Sequence, residues 1–173
     1  LNRVWKIKNN VEIIVATSNL KIDDPIENLC KKLSINYFRG PHHDVMNRYI
    51  KCANQYNIKT IIRLTGDAPL IDPAIVDLSI NEYKKRNVDY LSTTYPPELR
   101  QYPDGMDVEI FKAEELESYY YTNPSSHFRE HVTFQFWKNN YSFFNLKPSK
   151  NLSHFRLTVD YKEDFKLIKN VIE

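Results

Sequence analysis

Two aspartates each close an apolar run rich in β-branched residues. Asp67 follows Thr60 to Gly66 (TIIRLTG), and Asp160 follows Phe155 to Val159 (FRLTV). A carboxylate at the end of a buried strand is costly unless it is solvated, capped or bound to a cation. Open α/β sheets bind ligands outside the carboxyl ends of their strands. If these two strands are neighbours, Asp67 and Asp160 converge at that edge. Two carboxylates with few other ligands suit Mg²⁺, which keeps several waters and takes its remaining oxygens from substrate phosphates. Gly66 lets a bulky ligand approach the backbone, and Pro69 stiffens the turn. For Asp67 alone, a helix cap or a turn is an equal reading, because Asp is common at both.

Further polar residues sit at strand ends. Asp104-Gly105 is a turn signal, and Asp107 and Glu109 point to one face of the strand that follows. That face is either solvated or substrate-facing. Arg63 lies inside the strand leading to Asp67, and an Arg there pairs with an acid or reaches a ligand. Arg39-Gly40 follows another short strand, where Arg39 is a candidate contact for an anionic group. Arg129 and His131 lie in an aromatic-rich helical stretch, without a Ser or Cys nucleophile signature beside them. Asp72, directly before Pro73, is read as a helix N-cap, and Asp164 as a first-turn acid favoured by the helix dipole.

The elements that must position these groups alternate. Strands are expected over Val11–Thr17, Ile35–Phe38, Thr60–Thr65 and Val88–Thr93. Helices are expected from Asp24 to about Lys32, Asp44 to about Tyr56, and from Asp72-Pro73 onward. The first helix should bury Ile26, Leu29, Cys30 and Leu33. A β-α-β-α-β-α-β order with short connections argues for a mostly parallel sheet flanked by helices. After Ser92 the pattern changes: a proline-rich loop (Tyr95–Asp104), a strand (Asp107–Phe111), helices (Ala113–Tyr121 and Ser125–Trp137), strands (Tyr141–Leu146 and Phe155–Val159) and a final helix (Tyr161–Ile172). The expected organisation is one α/β domain over 1–173, Rossmann-like and three-layered, with an inserted α+β segment at about 95–149.

Composition narrows the classes. A net charge of +2 without a Lys/Arg cluster argues against nucleic acid or an anionic membrane as the main partner. No apolar stretch approaches the ~20 residues of a membrane-spanning helix. Cys30 and Cys52 have no metal-site spacing and read as buried thiols in a reducing, cytoplasmic setting. The aromatic segment around Tyr119-Tyr120-Tyr121, Phe128, Phe134, Phe136 and Trp137 fits either core packing or a homodimer contact. With only three glycines there is no glycine-rich phosphate loop. Either no phosphate is cradled that way, or such a loop lay upstream of Leu1.

Several runs together resemble a family. VEIIVATS, DDPI, YFRG, the acid of HHDV with Arg48-Tyr49, IIRLTGDAPLIDP, YPDGMDVEIF, REHVT and FRLTVDYKEDF follow one another as in the spore-coat-polysaccharide (SpsF-type) cytidylyltransferases. These are similar to the synthetases of CMP-activated Kdo and sialic acid. The resemblance implies a nucleotide-diphospho-sugar transferase fold. It implies transfer of CMP from CTP to an acidic sugar with release of pyrophosphate, and Mg²⁺ held by Asp67 and Asp160. It implies nucleotide contacts from Arg39, Arg63 and Gly66, and a sugar side at Asp104, Asp107 and Glu109, with Arg129 and His131. It also implies a first strand and an R-x-x-S-x-R-L-P-x-K loop, which this chain lacks at its start. Competing expectations are a related glycosyltransferase, for which Asp107-Val108-Glu109 is a loose D-x-D, and a nucleotide-sugar binding protein without catalysis.

Overall fold

The computed structural model describes residues 1–173. A 3-10 turn at Val4–Lys6 precedes β1 (Ile14–Ser18), α1 (Asp24–Lys32), β2 (Asn36–Gly40), α2 (Val45–Gln55), β3 (Thr60–Arg63), α3 (Pro73–Lys85) and β4 (Tyr90–Ser92). These seven elements keep the alternation expected from the apolar periodicity. After them come β5 (Glu109–Lys112), α4 (Ala113–Tyr120), α5 (Ser126–His131), α6 (Phe134–Lys138), β6 (Phe143–Asn145) and α7 (Lys162–Ile172). β1 and β2 form a parallel pair in register from Ile14 opposite Asn36 to Ser18 opposite Gly40. The other strands form a four-stranded sheet in the order β3-β5-β4-β6, with β4 and β6 parallel.

Helix starts follow cap chemistry. Asp44 accepts the Asn47 amide at the head of α2, and Asp72 accepts the Ala74 amide at the head of α3. Each satisfies a backbone donor that the helix itself leaves unpaired. At α7 a capping box forms, with Asp164 accepting the amide of Tyr161.

The chain divides into two compact units. One comprises residues 1–10, 62–110 and 141–173; the other comprises 11–61 and 111–140. The 95–149 segment is thus shared between the two units. In the first, Val76, Ile80, Tyr90, Leu91, Val108 and Ile110 are buried. In the second, Met46, Ile50, Ala53, Phe111, Leu116 and Phe136 are buried, with the Phe111 and Phe136 rings 5.0 Å apart. Each such Val, Leu, Ile, Met or Phe side chain contributes about 1.5–3 kcal/mol by leaving water. Cys30 and Cys52 are free thiols, both buried.

Three expectations change. Phe155–Val159 is not a strand: it makes one isolated parallel bridge, Asp104 to Arg156. Its backbone bonds go to loops instead, from Asp104 to Phe155, from Leu157 to Asp104 and from Val159 to Asp67. The apolar run is therefore satisfied without a ladder. The helix expected over Ser125–Trp137 breaks into α5 and α6 at Val132, whose φ is +65°. A β-branched residue is strained there, and full burial of Val132 offsets that strain. On α1 only Cys30 is buried, while Ile26, Leu29 and Leu33 are exposed. The β1–β2 sheet is too narrow to cover the whole stripe. On α7 only Ile168 is buried, and Phe165 and Ile172 stay exposed.

Candidate active site

β3 runs straight into the Gly66–Asp67 turn, where Ala68 donates to Thr65 and leaves both residues exposed. The Val159 amide donates to the Asp67 carbonyl at 2.8 Å. That bond lays the segment ending in Asp160 alongside the Asp67 turn without a strand ladder. The Asp67 carboxylate makes no hydrogen bond or ion pair within the chain. Asp160 Oδ2 accepts from Arg156 at 2.5 Å and from Thr158 at 3.1 Å. Arg156 also holds Asp164, whose carboxyl it pulls down to about 2, helped by the amides of Asp160 and Tyr161. Together they form an exposed edge with two hard oxygen donors. No third His, Cys, Asp or Glu joins them at metal-holding spacing. That donor set fits Mg²⁺, which prefers one or two carboxylates with water and phosphate oxygens, and it does not fit a closed Zn²⁺ site. At Gly66 an added Cβ would meet nothing within 4 Å, leaving open space over the turn.

The Pro103–Asp107 loop belongs to the same unit. Thr93 ties it to the end of β4: the Thr93 hydroxyl donates to Met106 and accepts from the Val108 amide. Asp104 is half-exposed, with Arg100 3.6 Å away. Asp107 accepts the Gly105 amide at 2.8 Å. Burial pushes its carboxyl above the usual carboxylate range. Burial likewise raises the nearby Tyr95 phenol, with Glu109 adding to the effect. Asp107 lies in the loop before β5, which begins only at Glu109, so the strand face expected to carry both acids does not form. Glu109 is 1% exposed and pairs with Arg63 on one oxygen, while its other oxygen accepts the Tyr90 hydroxyl at 2.6 Å. Of the two readings of Arg63, the structure shows the acid pair.

In the second unit Arg39 is also spoken for. Its guanidinium donates to Glu27, Asp24 and the carbonyls of Ser18 and Leu20. Arg129 donates to Asn123 and to the Pro124 carbonyl, lies 3.5 Å from Asp44, and sits over the Tyr120 ring. His131 stacks on Phe134 at 4.8 Å and meets His127 edge-on. These contacts anchor α2, α5 and their loops.

A cleft of about 350 Å³ opens where β1 and β2 end, lined by Thr17, Ser18, Asp23, His42, His43 and Arg48 among others. None of these was a site residue in the sequence reading, although all lie at or just beyond the carboxyl ends of two parallel strands, which is the cue that could have found them. Asp23 accepts from the Ser18 and Thr17 hydroxyls and the Ser18 amide, and its carboxyl is lowered chiefly by Ser18. Arg48 donates to the Pro41 carbonyl at 2.8 Å. Gly40 is required beside it, because a Cβ would lie 2.7 Å from the Phe38 ring and 2.9 Å from Arg48 Cγ.

The element order and strand-end sites define a nucleotide-diphospho-sugar transferase fold. A cytidylyltransferase from Leptospira borgpetersenii serovar Hardjo-bovis superposes with a TM-score of 0.92 at 33% identity, over 99% of this chain and 72% of that one. The 4-diphosphocytidyl-2C-methyl-D-erythritol synthase of Anaerococcus prevotii, 13% identical with a TM-score of 0.63 over 99% and 82%, shares the fold. Residues 1–171 match the cytidylyltransferase family, and the chain belongs to it. The SpsF spore coat polysaccharide biosynthesis protein of Bacillus subtilis is 30% identical over 171 residues, covering 94% of this chain and 67% of that protein. An uncharacterized Methanocaldococcus jannaschii protein is 36% identical over 171 residues, covering 96% and 68%. As a cytidylyltransferase, the protein is a nucleotidyl-transferring enzyme.

Proposed function

We propose that the protein transfers CMP from CTP to an acidic sugar of the sialic, pseudaminic, legionaminic or Kdo type in glycan or surface-polysaccharide biosynthesis, with Asp67 and Asp160 holding Mg²⁺. The observation that carries this reading is the Val159–Asp67 backbone bond, which lays the segment ending in Asp160 alongside the Asp67 turn. Family membership and the likeness to a polysaccharide biosynthesis protein support the reaction class and a sugar acceptor.

In the reaction the sugar hydroxyl oxygen bonds to the α-phosphorus. The bond from that phosphorus to the β-phosphate bridge breaks, its electron pair leaves with pyrophosphate, and the hydroxyl proton passes to solvent. Bound Mg²⁺ would neutralise triphosphate charge. The chain's own part is placement: it presents two carboxylates on exposed segments joined by a backbone bond and keeps Asp104 and Asp107 on an adjoining loop of the same unit.

A glycosyltransferase reading loses its support at Glu109. The second acid of the loose D-x-D is buried against Arg63 and Tyr90, out of reach of a metal. No helix is long and apolar enough to cross a membrane. The cytoplasm is the proposed location.

The test is pyrophosphate release from CTP, measured with Mg²⁺ and each acid sugar in turn. Release should require one of the acid sugars and stop when EDTA removes the metal. Release with neutral sugars only would overturn the acceptor class. Cleavage of a CMP-sugar without pyrophosphate chemistry would favour the glycosyltransferase.

A further inference from the structure

The geometry points to Gly105 as a positioning residue that sets the placement of Asp160 from the neighbouring loop; we infer this on the reading of Asp67 and Asp160 as the cation-holding pair. Gly105 has φ +93°, a conformation that side chains with a Cβ rarely adopt. Space is as restrictive as torsion. A Cβ at Gly105 would lie 2.8 Å from the carbonyl carbon of Leu157, 2.9 Å from its oxygen and 3.1 Å from the Thr158 nitrogen. These are main-chain atoms, so no rotamer change relieves the clash. The backbone of 157–158 would have to move.

That backbone is also the arm bearing Asp160. On one side of Gly105, the Asp104 amide donates to Phe155 at 3.1 Å and the Leu157 amide donates to Asp104 at 2.7 Å. One residue beyond Thr158, the Val159 amide reaches the Asp67 carbonyl. Since Phe155–Val159 forms no strand ladder, these few bonds and the close seat on Gly105 fix the arm. Asp107 completes the device by capping the Gly105 amide. The loop carrying Asp104 and Asp107 and the arm carrying Asp160 therefore move as one body, and the absent Cβ makes this possible.

The test uses the whole protein and two readouts: Mn²⁺ affinity from the EPR signal of free Mn²⁺, and amide exchange at Val159. Gly105→Ala should speed Val159 exchange and weaken Mn²⁺ binding about tenfold, the lower end of what disturbing a ligand's support costs, while far-UV circular dichroism stays that of the parent. Unchanged exchange and unchanged affinity would overturn the inference. Faster exchange in Gly105→Ala with Mn²⁺ binding that is insensitive to Asp67→Asn would keep the seat but remove the metal assignment, so the two failures are distinguishable. Should Gly105→Ala not fold, Asp107 supplies the second pair. Asp107→Asn keeps an acceptor for the Gly105 amide and should retain Mn²⁺ affinity, whereas Asp107→Ala loses the cap and should weaken it. Equal loss in both would make Asp107 itself a ligand and overturn the positioning role.

Discussion

The Val159 amide and the Asp67 carbonyl are joined at 2.8 Å, and this bond brings Asp160 beside Asp67. Because it is a main-chain bond, it survives changes to the Asp67 side chain. Asp67→Asn should therefore leave the melting temperature close to the parent, since exposed substitutions cost within about 0.5 kcal/mol. Pyrophosphate release from CTP should fall at least about a hundredfold, the rate equivalent of several kcal/mol of lost charge stabilisation. A mutant with full activity at limiting Mg²⁺ would remove Asp67 from the site.

Gly66 gives a second test of the same turn. Its Cβ position is open in the structure, and its φ lies outside the left-handed range. Gly66→Ala should fold with unchanged or slightly raised stability, because alanine narrows the unfolded ensemble. If a nucleotide approaches this backbone closely, the methyl group will raise KM for CTP while Tm holds. A KM equal to the parent's would show that no ligand group comes within reach of the turn.

How much of this was legible in the sequence depends on the physics involved. The seven alternating elements follow from apolar periodicity and caps, and Asp44 and Asp72 sit where capping chemistry puts them. That Asp67 and Asp160 each follow a run rich in β-branched residues was readable. The missing strand at Phe155–Val159 was not, since the same apolar alternation serves an extended arm bonded to loops. Nor was the break at Val132, where tertiary burial overrides a local preference against positive φ. Arg39 and Arg129 carry the right charge for an anionic ligand, but their partners Glu27, Asp24 and Asn123 are fixed only by folding. The cleft beyond β1 and β2 is not legible in the sequence, because its residues form no recognisable motif.

The Arg63–Glu109 pair makes a prediction about stability. Glu109 is 1% exposed, and Arg63 is its ion partner. Removing one charge strands the other in a poorly solvated place, which typically costs about 3–5 kcal/mol. Glu109→Gln keeps an acceptor for Tyr90 but not the charge, and its urea unfolding free energy should drop by that amount. The double change Arg63→Met with Glu109→Leu should recover a large part of it, because no lone charge remains. A Glu109→Gln loss below about 1 kcal/mol, on the scale of an exposed pair, would place the pair in contact with water.

Asp164 makes the pH prediction. Arg156 first, then the amides of Asp160 and Tyr161, hold its carboxyl at about 2 against an ordinary 3.8. The folded value lies below the unfolded one, so its contribution to stability is complete above about pH 4. It is lost as pH falls from there through about 2. Glu27 is held at about 2 as well and titrates in the same window, so the parent's acid curve alone does not isolate Asp164. The difference between parent and Asp164→Asn does. Tm measured from pH 5 to pH 2 should show the two proteins converging as the pH falls, with the larger gap at pH 5. Carbon NMR of the Asp164 carboxyl should give a midpoint near 2. A midpoint near the ordinary value would mean that Arg156 does not hold Asp164 in solution, leaving the Asp160 arm without its anchor at the head of α7.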